Sequence, residues 1–330
     1  MPPPPRLISI RICALHESGD ANIKSMPLLH RFPFWYSWNG FRGSQLIWAI
    51  FGIFQKLPDA KIIQLPNSFP MIVNQRDWIS KTIYQGTYER PLLHFLKSLV
   101  LTNIMLDVGA NIGVTLWHTL RNSSKDTGYL AFEPSKQCAS GLNLVTSHLH
   151  NEGRVLSYAI GDTDGNQALH GIENPFHSGG ASLIEHSGLR GQTEVVEVRK
   201  LDSLASTFFE GQSVALLKID TEGYESHVID GAKNLLESGK VEIIVMEVSP
   251  NFGDVSYLRT IKELVGARYD WFALEEIGKF KRNPSLVRIS LDASINRPHQ
   301  WNLVLIRVDI FENYCKLKHP VFLNAKNTLQ

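Results

Sequence analysis

Three acidic residues stand at the ends of apolar segments that read as successive buried strands. Asp107 closes the first segment, Glu133 the second and Asp162 the third. A carboxylate at the first place can receive an ammonium group, and one at the second can accept hydrogen bonds from both hydroxyls of a ribose. Asp162 lies where the amino group of an adenine would be placed. Each residue alone could be a turn former or a helix cap, but the set predicts a nucleoside site.

A glycine-rich turn, Asp107-Val-Gly-Ala-Asn-Ile-Gly113, follows the first of these strands. Glycine lets the backbone approach a ligand closely, and the amino end of the next helix offers unpaired N–H groups. The dinucleotide pattern G-x-G-x-x-G would require glycine where Asn111 and Val114 stand. An acidic residue two positions before Gly109 instead favours S-adenosylmethionine. The predicted cofactor contacts of this turn are Gly109, Ala110, Asn111 and Gly113.

A second group of charged residues lies at the end of the apolar segment Val214–Ile219. Asp220 is the first candidate for a general base, because an alcohol is a poor nucleophile until it loses its proton. Glu222 lies in the same turn, and proximity should separate the pKa values of the two carboxyl groups. Lys218 is on the same strand face as Asp220 and could tune that carboxylate or simply pair with it. The alternative is that Asp220 and Glu222 cap the following helix.

Two further kinds of catalytic group remain open. His177 lies in a glycine-rich loop, residues 174–182, that could close over a cofactor with His177 as the base; an exposed loop histidine is the alternative. Asp220, Glu222 and Glu247 are hard oxygen ligands at adjacent strand ends and would suit Mg²⁺ or Mn²⁺. Because their spacing is not diagnostic, Mg²⁺ is not favoured and no metal ligand is predicted.

Alternating strand and helix patterns from residue 103 onward predict an α/β fold. Most strand segments are apolar on both faces, which indicates a parallel sheet with helices on either side. Right-handed crossovers then bring the turns after the strands to one edge, where ligands bind. The pattern also predicts a third strand over 154–160, a hairpin insertion around 168–170 and 194–198, one helix over 224–237, and last strands over 269–274 and 302–308.

Length and composition limit the remaining function classes. The 330 residues allow one large domain with additions or two domains, and a hydrophobic share of 43% excludes wholesale disorder. With 33 basic and 32 acidic residues the net charge is +1, which gives no signal for nucleic-acid binding. The three scattered cysteines form neither a disulfide framework nor a paired zinc site, so a reducing, cytoplasmic location is expected.

The amino-terminal region differs from the rest of the chain. After a proline run at residues 1–6, aromatic residues are dense between Phe32 and Phe54. The apolar run within this segment, residues 46–54, is too short to span a membrane. A helix that packs on the main domain is the first interpretation. The alternative is peripheral membrane contact, with Arg31, Arg42 and Lys56 flanking the aromatic residues.

The chain resembles the FkbM family of S-adenosylmethionine-dependent methyltransferases over roughly residues 74–308. The most specific stretch is Lys218-Ile-Asp-Thr-Glu-Gly-Tyr-Glu225, although Thr221 stands where the family often has an aliphatic residue. The other stretches are Ile83-Tyr-Gln-Gly-Thr-Tyr-Glu89, Leu106-Asp-Val-Gly-Ala-Asn-Ile-Gly113, Ala131-Phe-Glu-Pro134, Ala159-Ile-Gly-Asp162, Leu201-Asp202, Gly231 and Glu247.

The resemblance implies a class I methyltransferase fold, a Rossmann-like sheet of seven strands, the last antiparallel, with helices on both faces. The methyltransferase domain would cover 74–310, after a mostly helical extension (1–73) and before a tail (311–330). The family mostly methylates hydroxyl oxygens, often on sugars or polyketide-type products. In this fold the region of Glu89 often covers the methionine end of the cofactor or the acceptor. The implied cofactor contacts are Glu89, Asp107, Gly109, Ala110, Asn111, Gly113, Glu133, Pro134, Gly161, Asp162 and Asp220; the implied catalytic residues are Asp220, Glu222, Lys218 and His177.

Two other classes of function stay open beside methyl transfer to the hydroxyl of a sugar, glycan or small natural product. The first is a nicotinamide-dependent oxidoreductase, against which the missing glycines argue. The second is a catalytically inactive methyltransferase fold that serves as a binding module, against which the intact acidic set argues. A nucleic-acid acceptor is not expected, since the chain has no basic run.

Overall fold

The computed structural model describes residues 24–52, 61–74, 76–172, 179–185, 191–250, 255–280 and 282–316. The strands are β1 (Lys24–Ser25), β2 (Ile62–Gln64), β3 (Pro70–Ile72), β4 (Ile104–Val108), β5 (Tyr129–Phe132), β6 (Gly153–Leu156), β7 (Ala159–Ile160), β8 (Gly165–Ile172), β9 (Gln192–Arg199), β10 (Val214–Ile219), β11 (Val241–Val248), β12 (Tyr269–Ile277), β13 (Asn283–Arg288) and β14 (Trp301–Arg307). The helices are α1 (Leu28–Trp38), α2 (Ser44–Gly52), α3 (Trp78–Gln85), α4 (Arg90–Ser98), α5 (Val114–Leu120), α6 (Lys136–Thr146), α7 (Leu201–Phe208), α8 (Glu225–Asp230), α9 (Lys233–Glu237), α10 (Tyr257–Val265), α11 (Leu291–Ile295) and α12 (Val308–Lys316).

The main sheet has the strand order β13-β12-β14-β11-β10-β4-β5-β6. Strands β6, β5, β4, β10 and β11 are parallel, whereas β14 runs antiparallel to both β11 and β12. This order confirms the predicted class I methyltransferase arrangement and its antiparallel last strand. It also brings the carboxyl ends of these five strands, and of β12, which runs in the same direction, to one edge of the sheet.

The expected number of seven strands is wrong, since the sheet has eight. The additional strand, β13, forms an antiparallel hairpin with β12 at the edge of the sheet. Its second residue is Pro284, whose backbone nitrogen cannot donate a hydrogen bond. Proline is tolerated here because, among the described strands, β13 pairs with β12 alone. A short segment that contains proline gives a weak strand signal in the sequence.

Hydrophobic clusters cover both faces of the sheet, as expected for buried parallel strands. Every residue of β4 and β10 is buried. Side chains along β10 alternate between the two faces, so Leu217 and Ile219 lie in one cluster and Leu216 lies in the other. The helices therefore enclose a sheet whose strand ends are left as the accessible sites.

A small second sheet, β7-β9-β8, interrupts the main one after β6. Strands β8 and β9 pair antiparallel, which confirms the predicted hairpin insertion. The single strand predicted over 154–160 is wrong. The chain leaves the main sheet after Leu156, and Ala159 and Ile160 pair with β9 instead. A continuous apolar pattern does not reveal a change of partner.

The helix predicted over 224–237 is two short helices, α8 and α9, joined at Gly231. A Cβ atom on Gly231 would lie 1.8 Å from the carbonyl oxygen of Gly161, so the helical segment and the chain after β7 approach at backbone contact distance. The second helix has its own cap, because the Asp202 carboxylate accepts hydrogen bonds from the amides of Asn234 (2.9 Å) and Leu235 (3.0 Å). Asp202 is therefore a structural residue.

The described amino-terminal part comprises α1, α2 and a three-stranded sheet, β1-β2-β3. Its Phe34, Trp38 and Trp48 are buried in one cluster with Trp117 of α5 and Val145 of α6. The extension thus packs on the main domain, in agreement with the first interpretation of its aromatic residues. None of the helices in the described ranges combines the length and apolar character needed to cross a bilayer.

The proposed boundaries at residues 73 and 310 stay predictions. At the carboxyl side, Phe311 of α12 is buried and lies 5.0 Å from the ring of Phe272. The core therefore continues past residue 310 into α12.

Candidate active site

A cavity opens at the carboxyl edge of the parallel strands. It encloses about 890 Å³ of empty space, including solvent at its mouth, which is within the usual size of a small-molecule site. Its wall includes the glycine turn after β4, the end of β5, the start of the small sheet and the turn after β10. Of the predicted site residues, the cavity is lined by Gly109, Ala110, Asn111, Glu133, Pro134, Lys218, Asp220 and Glu222.

Close packing against neighbouring elements requires glycine at two positions of this turn. Gly109 has a left-handed φ of 73°, and a Cβ atom there would lie 1.8 Å from the carbonyl oxygen of Asp220. The absence of a side chain thus lets the ends of β4 and β10 meet. Gly113, with a φ of 82°, immediately precedes α5, and a Cβ atom there would lie 3.0 Å from the side chains of Leu142 and Val145 of α6.

Backbone N–H groups of this turn are engaged within the protein. Gly109 and Ala110 both donate to the carbonyl of Phe132 (3.0 Å), and Gly113 donates to that of Ala110 (2.8 Å). The amide of Asn111 donates to Oε2 of Glu133 at 2.9 Å. These four amides of the turn are therefore satisfied within the protein, because the turn closes on β5 and on itself, whereas the unpaired N–H groups expected at the amino end of α5 stay a prediction. A ligand in the cavity therefore contacts the exposed surface and the side chains of the turn, and not these amides.

Glu133 is fixed at the end of β5 by two backbone amides. Oε1 accepts a hydrogen bond from Ser135 (2.8 Å), and Oε2 accepts the one from Asn111. Burial raises the pKa of Glu133 to about 7, against the lowering effect of these two bonds. Each carboxylate oxygen has a second lone pair, so Glu133 can accept two more hydrogen bonds, as from the two hydroxyls of a ribose.

Lys218 links three groups beneath the cavity. Its Nζ donates to the carbonyl of Gly109 at 2.6 Å and lies 3.3 Å from Asp107 Oδ1 and 3.4 Å from Asp220 Oδ2. Burial opposes its charge, but Asp220 and Asp107 outweigh burial and raise the pKa of the ammonium above its ordinary value. Lys218 is therefore a permanent cation that positions Asp220, and it cannot act as a base.

Asp107 is fully buried below the turn, outside the lining of the cavity. Its Oδ2 accepts a hydrogen bond from Thr115 Oγ1 at 2.9 Å, and burial raises the pKa of the carboxyl despite Lys218. Its direct partners are thus Thr115 and Lys218. The contact with a cofactor ammonium group stays a prediction.

Beyond Asp220, several acidic side chains converge near the cavity. Glu222 has a left-handed φ of 53°, and Ser182 Oγ donates to its carbonyl at 2.7 Å. Burial, with Asp220 and Glu225, raises the pKa of Glu222 to about 8. Glu225 Oε1 accepts the amides of Thr221 (2.9 Å) and Gly223 (3.2 Å). Glu225 thus satisfies the backbone of the turn, and Asp220 and Glu222 do not cap α8, which leaves both carboxylates for chemistry.

Two further acidic side chains accept hydrogen bonds from side-chain amides that the sequence analysis did not predict. Glu89, with a φ of 38°, accepts a hydrogen bond from Asn302 Nδ2 at 3.2 Å, and Glu247 accepts one from Gln300. Burial first, and the other carboxylates second, raise the pKa of both acids. The signal was available in principle: β14 is antiparallel, so it begins at the edge where the parallel strands end, and Asn302 pairs with Glu247.

Helix α3 leads into the turn that brings Tyr88 to the cavity, whereas the next residue, Glu89, is outside the lining. Asp77 caps its amino end by accepting the amide of Ser80 (2.6 Å), and Gly86 ends it with a left-handed φ of 69°. Ile79 of this helix and Tyr88 both line the cavity. The turn at Gly86 places Tyr88 in the cavity wall. The sequence analysis did not predict α3, so it did not predict this role of Tyr88 either.

Other predicted residues lie away from the cavity wall or cannot be placed. Gly161 and Asp162 are outside the lining, and a Cβ atom on Gly161 would meet the Tyr224 ring at 2.8 Å. His177 lies outside the described residues. His118 of α5 is buried, and burial lowers its pKa to about 4. Within the described ranges, no group of three or more His, Cys, Asp or Glu side chains is arranged to hold a metal ion.

Several solved methyltransferase structures are similar to this chain. A methyltransferase from Methylobacillus flagellatus KT, described as FkbM, is 15% identical with a TM-score of 0.40, and the match covers 70% of this chain but only 56% of that one. A SAM-dependent O-methyltransferase from Thermotoga maritima is 11% identical over 79% of this chain and 81% of its own, with a TM-score of 0.35. An rRNA methylase from Streptococcus thermophilus is 10% identical over 66% and 94%, with a TM-score of 0.33.

Similarity in sequence is more specific than these structural likenesses. No curated protein sequence matches the chain significantly. The family model of the methyltransferase FkbM domain matches residues 107–271, which is half of the chain and includes the glycine turn, Glu133 and the turn after β10. The chain therefore belongs to the FkbM methyltransferase domain family.

Proposed function

We propose that the cavity binds S-adenosylmethionine and that Asp220 accepts the proton of a hydroxyl group that becomes methylated. The acceptor would be a hydroxyl of a sugar, a glycan or a small natural product. The observation that carries the proposal is the position of Asp220: it borders the cavity, is about one quarter exposed, and is held by Lys218 against the glycine turn.

Charge at the site favours this cofactor. S-adenosylmethionine supplies an activated methyl group on a sulfonium and carries an ammonium group as well. Asp220, Glu222, Glu89 and Glu247 act on one another electrostatically around the same space, and Lys218 is the cation that acts on the first three. A cationic cofactor would stabilise the ionised form of these carboxyl groups and so lower their raised pKa values, whereas an anionic cofactor would raise them further.

A nicotinamide dinucleotide is supported less well by the same residues. Its pyrophosphate would be held by free amides of the glycine turn together with those at the amino end of α5. In this chain the amides of Gly109, Ala110, Asn111 and Gly113 donate to protein acceptors. The Asp220 carboxylate beside the turn would also repel the phosphates. We therefore place oxidoreductase activity behind methyl transfer.

The residues of the chain have separate roles in the proposed reaction. Glu133 would hold the ribose, and the turn from Gly109 to Gly113 would set the depth of the cofactor. In an in-line displacement the hydroxyl oxygen forms the new bond to carbon as the bond to sulfur breaks. Asp220 would take the hydroxyl proton, so that an ether and a neutral thioether are the products.

Labelled methyl transfer tests the proposal directly. Purified protein is incubated with methyl-labelled S-adenosylmethionine and a cell extract, and the labelled product is identified by mass spectrometry. Asp220→Asn should keep the affinity for S-adenosylhomocysteine but lower turnover by about 10²–10⁴-fold. The matched control is Asp126→Asn, at an exposed aspartate remote from the cavity. Unchanged turnover in Asp220→Asn would remove that residue from the mechanism, and cofactor binding without any transfer would favour a binding module.

A further inference from the structure

Helices α1 and α2 carry large apolar side chains in contact with solvent. On α1, Leu28 is 77% exposed, and Leu29 and Trp35 are each 52% exposed. On α2, Leu46 and Ile50 are 65% and 48% exposed. We call these five residues the apolar face. Scattered apolar residues on a protein surface need no explanation, but several on two adjoining helices indicate an interaction site.

The apolar face belongs to helices that are firmly anchored on their other side. Phe34 and Trp38 of α1 and Trp48 of α2 are buried in the same cluster as Tyr84 of α3. His30 bonds to the Tyr84 hydroxyl at 2.7 Å, and the Trp48 ring nitrogen donates to the carbonyl of Gln85 at 3.1 Å. Both helices are thus apolar toward the core and toward solvent, so burial in the fold accounts for only one of their two apolar sides.

The chain segment that carries the apolar face has basic side chains and no acidic ones. The sequence contains no aspartate or glutamate between Asp20 and Asp59, whereas the exposed Arg31 and Arg42 lie on α1 and between the two helices. Trp35 lies among aromatic rings, with centroids 6.3 Å from Phe32 and 5.6 Å from Phe41. Aromatic and aliphatic side chains rimmed by arginine match the acyl and headgroup layers of an anionic bilayer.

We propose that the apolar face docks on the surface of an anionic lipid bilayer. With 11 and 9 residues, α1 and α2 are too short to span the hydrocarbon layer and would lie in the interface plane. Leucine and tryptophan side chains enter the boundary between headgroups and acyl chains, while Arg31 and Arg42 pair with lipid phosphates. This inference is independent of the proposed methyl transfer, because it rests on residues outside the cavity.

Co-sedimentation of the full chain with lipid vesicles tests the docking. Vesicles of phosphatidylcholine with phosphatidylglycerol are compared with vesicles of phosphatidylcholine alone. The wild-type protein should partition onto the anionic vesicles, and less so as salt is raised. The double substitution Leu29→Glu and Trp35→Glu should weaken partitioning by roughly tenfold or more. The control is Val195→Glu, at a residue of β9 that is 70% exposed and remote from α1, which should bind like the wild type.

Each other outcome overturns the proposal. If the wild-type protein stays in the supernatant, the face does not bind lipid. If it instead self-associates at increasing concentration and the double substitution abolishes this, the occupant is a second copy of the chain. Equal losses for the double substitution and Val195→Glu would show that binding is not located at α1 and α2. Should the double variant fail to fold by circular dichroism, Arg42→Glu replaces it, since reversing an exposed charge should weaken only the binding to anionic vesicles.

Discussion

Lys218 shows how one side chain connects the stability of the protein to its chemistry. Its ammonium lies between Asp107, which is fully buried, and Asp220, which borders the cavity, and it also holds the carbonyl of Gly109. The sequence places Lys218 and Asp220 on one strand face. It does not show that Asp107, more than a hundred residues earlier, meets the same cation, because this contact depends on the pairing of β4 with β10.

Replacing Lys218 by methionine should destabilise the protein by about 3–5 kcal/mol, because it leaves a buried carboxylate without its partner. Adding Asp107→Asn to Lys218→Met should recover part of that loss, since the second change removes the unpaired charge. Urea unfolding of the wild type, both single variants and the double variant measures the coupling. Strictly additive losses would show that the two charges do not depend on each other.

The raised pKa of Glu222 predicts how stability changes with pH. The folded-state pKa of about 8 lies above the ordinary glutamate value, so the folded state binds the proton more tightly than the unfolded state does. The contribution of Glu222 to the free energy of unfolding is therefore largest at low pH and is lost as pH rises from about 4.5 to about 8.

Glu222→Gln should remove this loss, because glutamine stays neutral. Unfolding free energies at a series of pH values should show the variant gaining on the wild type as pH rises toward 8. Glu237→Gln, on the exposed surface of α9, serves as the control and should run parallel to the wild type. Parallel curves for Glu222→Gln as well would contradict the raised pKa.

At the scale of elements, the sequence predicts strands better than their partners. The apolar runs of β4, β10 and β11 are visible because each is buried on both faces. The departure of the chain from the main sheet after Leu156, the hairpin strand with Pro284, and the division of α8 from α9 follow from tertiary contacts. No local sequence pattern indicates such contacts. Gly231 alone hints at the division of α8 from α9.

Gly231 offers a test of one of these contacts. Its φ of −81° is open to any residue, so only the approach of the Gly161 carbonyl forbids a side chain. Gly231→Ala should lower the free energy of unfolding by about 1–3 kcal/mol through overpacking. Gly165→Ala is the control, since a Cβ atom at that strand position meets nothing within 4 Å, and its effect should stay within about 0.5 kcal/mol. Equal effects of the two substitutions would refute the close approach.

At the scale of the whole molecule, the amino-terminal helices and the methyltransferase domain share a core. The cluster that buries Phe34 and Trp38 also contains Trp117 and Val145 from the helices flanking β5. Aromatic density in the sequence indicates packing here but not its partners. The carboxylates at strand ends were predicted more fully, because parallel topology alone brings them to one edge. The side-chain amides that fix Glu89 and Glu247 were not predicted, because they come from the region of the antiparallel strand.

The central claim is that the cavity at this edge is the site of S-adenosylmethionine, with Glu133 as the ribose ligand. Calorimetric titration with S-adenosylhomocysteine tests it most directly, on the wild type, on Glu133→Gln and on Glu152→Gln, an exposed control. We predict one site per chain, weakened roughly tenfold or more in Glu133→Gln by the loss of charged hydrogen bonds and unchanged in Glu152→Gln. Absence of binding at millimolar ligand, or equal affinity in Glu133→Gln at an unchanged melting temperature, would contradict the claim.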